Sequence, residues 1–508
     1  MYMLIKFYSS QSLFKKMNSN HTLHSNLFIY ILFFLTCVFV LLQSPLIPFA
    51  QKSCDVDSSI FIYSAQQILD GQLMYKDIID HKGPFLYLIN VIALFFFQGN
   101  WIGIWLFELL SLFVTGVILY KTALLFAEKW VSILSVITSL LFLVPLLRGG
   151  NYPEEWALPY MSMGQYIFLS SIKQDEKSFS KGQLVILALS FVLTFMLKAN
   201  FVAIFIGYGI IFLIKWILKK KYYEMFHNIL LIVVLVFLFI LPFFLYFYIT
   251  DTLSEAMYCV FKYNISEYAK DTFFDLFKRK KLSLFILLIL ISLFFILRKV
   301  DPKYTAYFVS AYLMTFLTCS IGISITYYFI IFVPIALVSF IFTCNFLKKI
   351  IIDRKKSIKL MLACFFLLNS VYIYCQIKEI QDNFSNDAIA LQECLLSPVD
   401  RNMIRETILK YTKPDEKILV NGYQSSVYLY SERKCATRFP YSLRNSSLLE
   451  ECYVKDAKTN LPKMIIQGEL VNPWNTYDLS NLLKEKYQKL PINKDDIEFW
   501  VLIANSNQ

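Results

Sequence analysis

The chain has 508 residues, 57% of them hydrophobic and 17% aromatic, with only 14 Gly and a mean hydropathy of +0.54. A soluble protein that apolar could not cover its own surface, so the composition points to a polytopic membrane protein. The formal net charge of +12 does not signal nucleic acid, because the Lys and Arg cluster in short loops between apolar runs, the pattern that orients membrane proteins.

The N-terminal segment 1–26 carries Lys6, Lys15 and Lys16 ahead of an apolar run over 27–46. That run exceeds a signal-peptide core and lacks a small-residue cleavage site, so it reads as a retained anchor. Crossing a bilayer takes roughly 17–25 residues. Further apolar runs that read as spans fall at 101–126, 130–147, 157–172, 184–197, 201–217, 229–248, 282–297, 304–317, 325–346 and 360–374. The total is about 11 spans.

The apolar run 85–97 is shorter and reads as an interfacial or re-entrant helix. Charge decides the count. With the N-terminus cytoplasmic, Lys173, Lys177 and Lys181, Lys215 and Lys219 to 221, Arg298, Lys299 and Lys303, and Lys348, Lys349 and Arg354 to 356 all fall on the cytoplasmic side. Counting 85–97 as a span would place every one of these clusters outside. One basic run, 278–281, falls on the outer side, in a loop beginning near Asp251.

From Gln376 onward the composition turns polar. Segments 417–421, 464–467 and 499–504 read as short buried strands, and 478–489 as an amphipathic helix. The architecture is therefore an all-α polytopic membrane domain over 27–375, with interfacial helices in its first external loop (50–100). A small α/β domain over 376–508 follows, on the outer face by the same topology. The ten Cys show no Cys-x-x-Cys pair, and Cys394, Cys435 and Cys452 in the tail are an odd number, so no disulfide framework can be read.

Just past the first run stand Asp55 and Asp57. The segment 58–69 carries Ile60, Phe61, Ala65, Ile68 and Leu69 on one face and Gly71 as a stop, so it reads as a helix lying in the interface plane. Asp57 falls at its N-cap position, and capping alone would explain it. Asp55 is a second carboxylate whose only local basic neighbour is Lys52. Another acidic pair, Glu154 and Glu155, follows the third span in a loop that begins at Arg148, and by topology it faces the same side. Acids from two loops at one membrane edge can converge on a single site.

Cations stand on that face too. Lys82 lies between His81 and Gly83-Pro84, where Pro84 fixes the start of the next helix and holds Lys82 near the interface. Lys198 occupies a very short turn between two spans, followed by Asn200. An ionisable residue so near hydrocarbon is costly and often functional, although a Lys there can also simply snorkel to the headgroups. Glu108, about two turns inside a span, either pairs with one of these lysines or makes an interior contact.

In chain order these are a carboxylate after the first span, interfacial helices, a Lys-Gly-Pro element with Tyr87 behind it, a second acidic loop and a Lys between spans. This order resembles membrane glycosyltransferases of the GT-C type, in the group related to protein O-mannosyltransferases and bacterial aminoarabinose transferases. The family's Asp-Glu dipeptide aligns on Asp57 and Ser58, its Lys-Pro on Lys82 to Pro84, its second acid on Glu154 or Glu155, and its Lys between spans on Lys198. Tyr327, Tyr328 and Pro334 resemble a motif that the family places near the carrier lipid. Ser58 stands where a second acid is usual, Gly83 is inserted before Pro84, and Glu replaces Asp in the second loop.

The resemblance implies a sugar donor linked through phosphate to a polyprenol, reached from the membrane lipids, and a glycan, lipid or protein acceptor arriving from outside. Asp57, or Asp55, would take the acceptor's proton, with Glu154 or Glu155 orienting it. Lys82, His81, Tyr87, Lys198, Asn200, Tyr327 and Tyr328 would bind the substrates. Either no cofactor is required or a divalent metal, with Asp57 and Glu154 as its ligands, since hard divalent ions take carboxylate oxygens. The implied place is the cytoplasmic (inner) membrane, with the site and the C-terminal domain on its outer side.

Among enzymes the competing reading is an envelope polysaccharide polymerase or ligase, which would lean on external Arg; these are few here, Arg148 and Arg279 among them. Outside enzymes it is a lipid-linked sugar flippase or transporter, which would show Gly- or Pro-broken spans in matching halves. Gly is scarce and no internal repeat is evident.

Overall fold

The computed structural model describes residues 27–503 except 148, 176–177, 269–295, 321–325, 352, 386–395, 444–445, 472–476 and 493–495. The N-terminal lysines, Arg148, the basic run 278–281, Cys394 and nearly all of the expected span 282–297 lie outside the described residues.

The membrane part opens with α1 (Leu27–Leu41), two helices of the first loop, α2 (Val56–Leu69) and α3 (Pro84–Phe96), and then α4 (Ile102–Leu124) and α5 (Lys129–Leu141). A single turn, α6 (Pro153–Trp156), leads into α7 (Leu158–Lys173), α8 (Lys181–Leu197), α9 (Ala203–Leu218), α10 (Tyr222–Ile249) and the short α11 (Leu253–Met257). After the undescribed stretch come α12 (Pro302–Ser320), α13 (Val333–Ile350) and α14 (Arg354–Phe384).

Local chemistry sets the ends that matter. The Asp55 carboxylate accepts a hydrogen bond from the Asp57 N–H (3.1 Å), so α2 starts two residues earlier than expected and its cap is Asp55, not Asp57. Gly71, at φ +91°, turns the chain away after α2, a conformation that favours glycine. Pro84 opens α3 and Ser180 with Gln183 forms a capping box on α8.

Five helices are apolar and long enough to cross a membrane among the described residues: Ile102–Leu124, Ala199–Leu218, Tyr222–Ile249, Tyr327–Ile350 and Lys355–Phe384. The expectation of about 11 spans is therefore matched only in part. Helices do stand where other spans were expected, but α1, α5 and α8, at 13 to 17 residues, are shorter than these five. Apolar composition outlasts helix in two of them. The runs 27–46 and 130–147 leave the helix at Leu41 and Leu141, ahead of Pro45 and Pro145, and continue as turns.

Close helix packing rests on small residues. Helix α9 lies along α12 with Gly207 in the seam, where a Cβ would fall 2.5 Å from the Ala311 Cα. The first and last helices of the membrane part are clasped at one end. The Gln376 amide donates to the Phe39 and Val40 carbonyls and the Asn383 amide to those of Leu42 (3.1 Å) and Ser44 (3.0 Å). Lys52 pairs with Glu379 at 2.9 Å, not with the neighbouring acids.

The tail forms a four-stranded sheet of β1 (Ile418–Val420), β2 (Met464–Gln467), β3 (Tyr487–Lys489) and β4 (Glu498–Leu502) in the order β1-β2-β4-β3. Only β1 and β2 are parallel. Helices α15 (Pro398–Tyr411), α16 (Ser426–Ser431), α17 (Ser447–Thr459) and α18 (Ser480–Lys486) complete it. The expected helix 478–489 divides: Tyr487, buried and donating its hydroxyl to the Pro462 carbonyl (2.7 Å), turns the chain into the edge strand β3. The domain sits on the first loop. Tyr430 accepts from the Cys54 N–H (2.8 Å), Tyr63 accepts from the Cys435 N–H (2.8 Å), and the Ile79 N–H donates to the Arg438 carbonyl (2.8 Å).

Gly207→Ala is expected to destabilise the protein by about 1–3 kcal/mol, read as a lower melting temperature in detergent. Gly209→Ala, on the same helix with nothing within 4 Å of its added Cβ, is the matched control and leaves the melting temperature unchanged or higher.

Candidate active site

Asp57, released from capping, stands half-buried in the first turn of α2, and the Tyr327 hydroxyl donates to its Oδ2. Tyr327 belongs to a 3-10 turn, Thr326–Phe332, that leads into α13. Its ring stacks on Tyr152 from the second loop, with centroids 4.2 Å apart and planes within 10°. Two residues beyond Tyr152, the buried Glu154 receives the Lys198 ammonium at 3.1 Å. That ammonium also lies 3.8 Å over the centre of the Tyr328 ring, a cation–π contact that strengthens where water is scarce. Four separate chain segments thus supply a continuous set: Asp57, Tyr327 and Tyr328, Tyr152 and Glu154, and Lys198.

Lys82 is brought beside this set by backbone. The Gly83 N–H donates to the Leu197 carbonyl (3.1 Å), and a Cβ on Gly83 would lie 2.0 Å from the Met196 carbonyl oxygen. Only glycine allows that approach. Lys82 and Lys198 each adjoin one partner of this bond, which accounts for the glycine between Lys82 and Pro84.

The Lys82 ammonium lies 2.9 Å from His81 Nε2, and His81 Nδ1 lies 2.7 Å from Asn264 Oδ1. An ammonium can only donate, so Nε2 accepts and the ring proton sits on Nδ1, directed to Asn264. Burial, reinforced by the positive Lys82, pushes His81 down to about 4, so the imidazole is neutral at physiological pH. Asn264 is held in turn by donating to the His81 (2.9 Å) and Val260 (2.7 Å) carbonyls.

The two members of the second acidic pair diverge. Glu155 turns from Lys198 toward Glu108: both carboxylates accept from the Asn151 N–H, Glu155 at 3.2 Å. Burial raises the Glu155 carboxyl above the usual carboxylate range. Glu108 is thus an interior contact and pairs with no lysine among the described residues. Asp55 stays at its cap. Asn200 is exposed, and its carbonyl accepts from Thr318 (3.1 Å). The Pro334 carbonyl accepts from the Gln165 amide (2.6 Å), fixing the start of α13.

Tyr87 donates its hydroxyl to Asp80, a residue the sequence did not single out. Asp80 is fully buried and also accepts from the Tyr441 hydroxyl (2.6 Å) and the His81 N–H (2.6 Å). Burial alone would raise its carboxyl, but His81 and Lys82 beside it and the two hydroxyls hold it below the usual carboxylate range. Asn264, Asp80 and Tyr441 have no motif spacing relative to Lys82, so nothing in the sequence marked them. Beside Pro84, an apolar cavity of about 340 Å³ lies between Leu88 and Val91 of α3 and Pro242, Phe243 and Phe247 of α10. Among the described residues no three His, Cys, Asp or Glu side chains gather as metal ligands would.

The family model of the competence-induced Ccs4 N-terminal domain matches residues 17–377. No curated protein sequence matches the chain. Among solved structures, ArnT from Cupriavidus metallidurans bound to undecaprenyl phosphate is similar, with a TM-score of 0.59 and 13% identity over 94% of this chain and 98% of that one. The same protein in the apo state gives a TM-score of 0.55 and 12% identity over the same shares. The archaeal oligosaccharyltransferase AglB from Archaeoglobus fulgidus gives 0.49 and 10% identity over 95% and 75%. At these identities the likeness is one of fold, and the fold is the GT-C type.

The buried imidazole makes stability depend on pH. His81 lies in the loop between α2 and α3, outside the membrane-spanning helices, and its folded value of about 4 is below the ordinary 6.5. The unfolded chain therefore binds the proton first, so the contribution is whole above pH 6.5 and lost as pH falls toward 4, by about 3 kcal/mol. Melting temperatures in detergent from pH 7.5 to 4.5 should fall more steeply for the native protein than for His81→Gln.

Proposed function

We propose that this chain, which belongs to the competence-induced Ccs4 N-terminal domain family, is a membrane glycosyltransferase that moves a sugar from a polyprenyl-phosphate carrier to an acceptor on the outer side of the cytoplasmic membrane. One observation carries the reading. On a GT-C fold, a carboxylate (Asp57), a second acid (Glu154) and two cations (Lys82 and Lys198) from distant segments stand together at one end of the helix bundle. The ligand of a similar structure, undecaprenyl phosphate, is chemistry these groups suit.

Each group then has a task. Asp57 removes the acceptor's proton as the acceptor oxygen bonds to the sugar's anomeric carbon. The bond from that carbon to the carrier phosphate breaks, and its electron pair leaves with the phosphate. A single displacement inverts the anomeric centre, so the base must stand opposite the leaving group. Tyr327 occupies one oxygen of Asp57 and fixes its direction, and the stack on Tyr152 fixes Tyr327. Lys82 and Lys198 face the negative charge that grows on the phosphate, a stabilisation that counts most where water is excluded. Glu154 holds Lys198 in place. The apolar cavity beside Pro84 offers the carrier's hydrocarbon a wall close to Lys82.

Mass spectrometry of envelope glycans from cells with and without the protein should reveal one added sugar. Asp57→Asn, an isosteric change, is expected to cut that transfer by about 10²–10⁴-fold while the purified variant keeps its melting temperature; normal modification would remove Asp57 from the chemistry. Because lysines neutralise the phosphate in this reading, EDTA added to membranes from the same cells should leave the rate unchanged. A rate restored only by added divalent ion would shift Asp57 and Glu154 to the metal-binding role.

A further inference from the structure

Lys82 and Asp80 are two residues apart, both are buried, and they carry opposite charge, yet they form no ion pair. In a low-dielectric setting an ammonium and a carboxylate attract strongly. Two features keep them apart. The neutral His81 ring takes the ammonium on Nε2. Asp80 already accepts from the Tyr87 hydroxyl, the His81 N–H and the Tyr441 hydroxyl.

Of these donors, Tyr441 comes from the C-terminal domain, beyond the segment that the family model matches. The neighbouring contact, Ile79 N–H to the Arg438 carbonyl, brings that domain down beside Asp80. We propose that Tyr441 is a positioning residue for the phosphate-binding cation: by occupying Asp80 it stops that carboxylate from drawing Lys82 into an ion pair, and leaves the ammonium facing the lipid phosphate. The tail thereby completes the site in the membrane part. This rests on the reading that Lys82 meets a polyprenyl phosphate.

Without the Tyr441 hydroxyl, Asp80 has one donor fewer and competes with the phosphate for Lys82. Without the Asp80 carboxylate there is nothing to quench, so the hydroxyl no longer matters to Lys82.

The test uses purified full-length protein in nanodiscs, with undecaprenyl phosphate and undecaprenol as probes that differ only in the phosphate. Tyr441→Phe is expected to weaken undecaprenyl phosphate binding about three- to tenfold and to leave undecaprenol binding unchanged. In an Asp80→Asn background the same substitution should change neither. Equal weakening of both lipids would make Tyr441 merely structural, and an undiminished effect in the Asp80→Asn background would remove Asp80 from the route; either result overturns the proposal. Hydrogen exchange over residues 77–86 decides separately from the assigned function. Tyr441→Phe should speed exchange of the His81 amide, which donates to Asp80, and unchanged exchange also overturns the proposal. A native protein that binds both lipids equally would instead defeat the carrier-phosphate reading, and the exchange result would still judge the link from Tyr441 to Asp80.

Discussion

One backbone contact ties the site together. The first loop reaches the end of α8 only because Gly83 lacks a side chain, and the bond from its N–H to the Leu197 carbonyl sets Lys82 beside Lys198. Two lysines more than a hundred residues apart in sequence become neighbours through main chain, which is stiffer than side-chain contact. Pro84 then starts α3 directly behind the contact, so the loop cannot slide without unwinding a helix.

The acids around this contact show how differently one functional group behaves under different partners. Glu154 faces an ammonium and balances it. Glu108 and Glu155 face each other over the Asn151 N–H, and burial raises the Glu155 carboxyl. Asp80 keeps its charge in a fully buried place because His81 and Lys82 stand beside it and three donors point at it. Leaving such a charge without partners would cost several kcal/mol. Asp57 differs from all of these: it is half-buried and, among the described residues, held through one oxygen by the Tyr327 hydroxyl. A carboxylate held this way keeps its direction without being fully engaged.

Much of this was legible in the sequence because ionisable residues beside hydrocarbon are expensive and therefore few. Asp57, Lys82, Glu154 and Lys198 stood out for that reason, and the structure places them at one end of the bundle. The helical membrane part and the tail sheet were legible from composition and from short apolar runs; β2 was read with its boundaries intact. Other features were not. Which of Glu154 and Glu155 faces the cation depends on a one-residue rotation around a short turn. The capping role passed from Asp57 to Asp55 through a two-residue shift of the helix start. Span lengths misled because apolar residues continue into turns after Leu41 and Leu141. Asp80, Asn264 and Tyr441 matter only through contacts made in three dimensions, and each alone looks like an ordinary polar residue.

The clasp between the first and last membrane helices has a consequence for how the protein is made. Carbonyls at the end of α1 and just beyond it are satisfied by Gln376 and Asn383, partners 336 to 341 residues later in the chain. In lipid, a carbonyl without a donor is a standing penalty. The nascent first helix must therefore wait, sheltered by the insertion machinery or by headgroup water, until α14 has been synthesised and threaded. Biogenesis closes the ring last, and a ribosome that stalls before Gln376 leaves an assembly whose oldest helix is still unfinished.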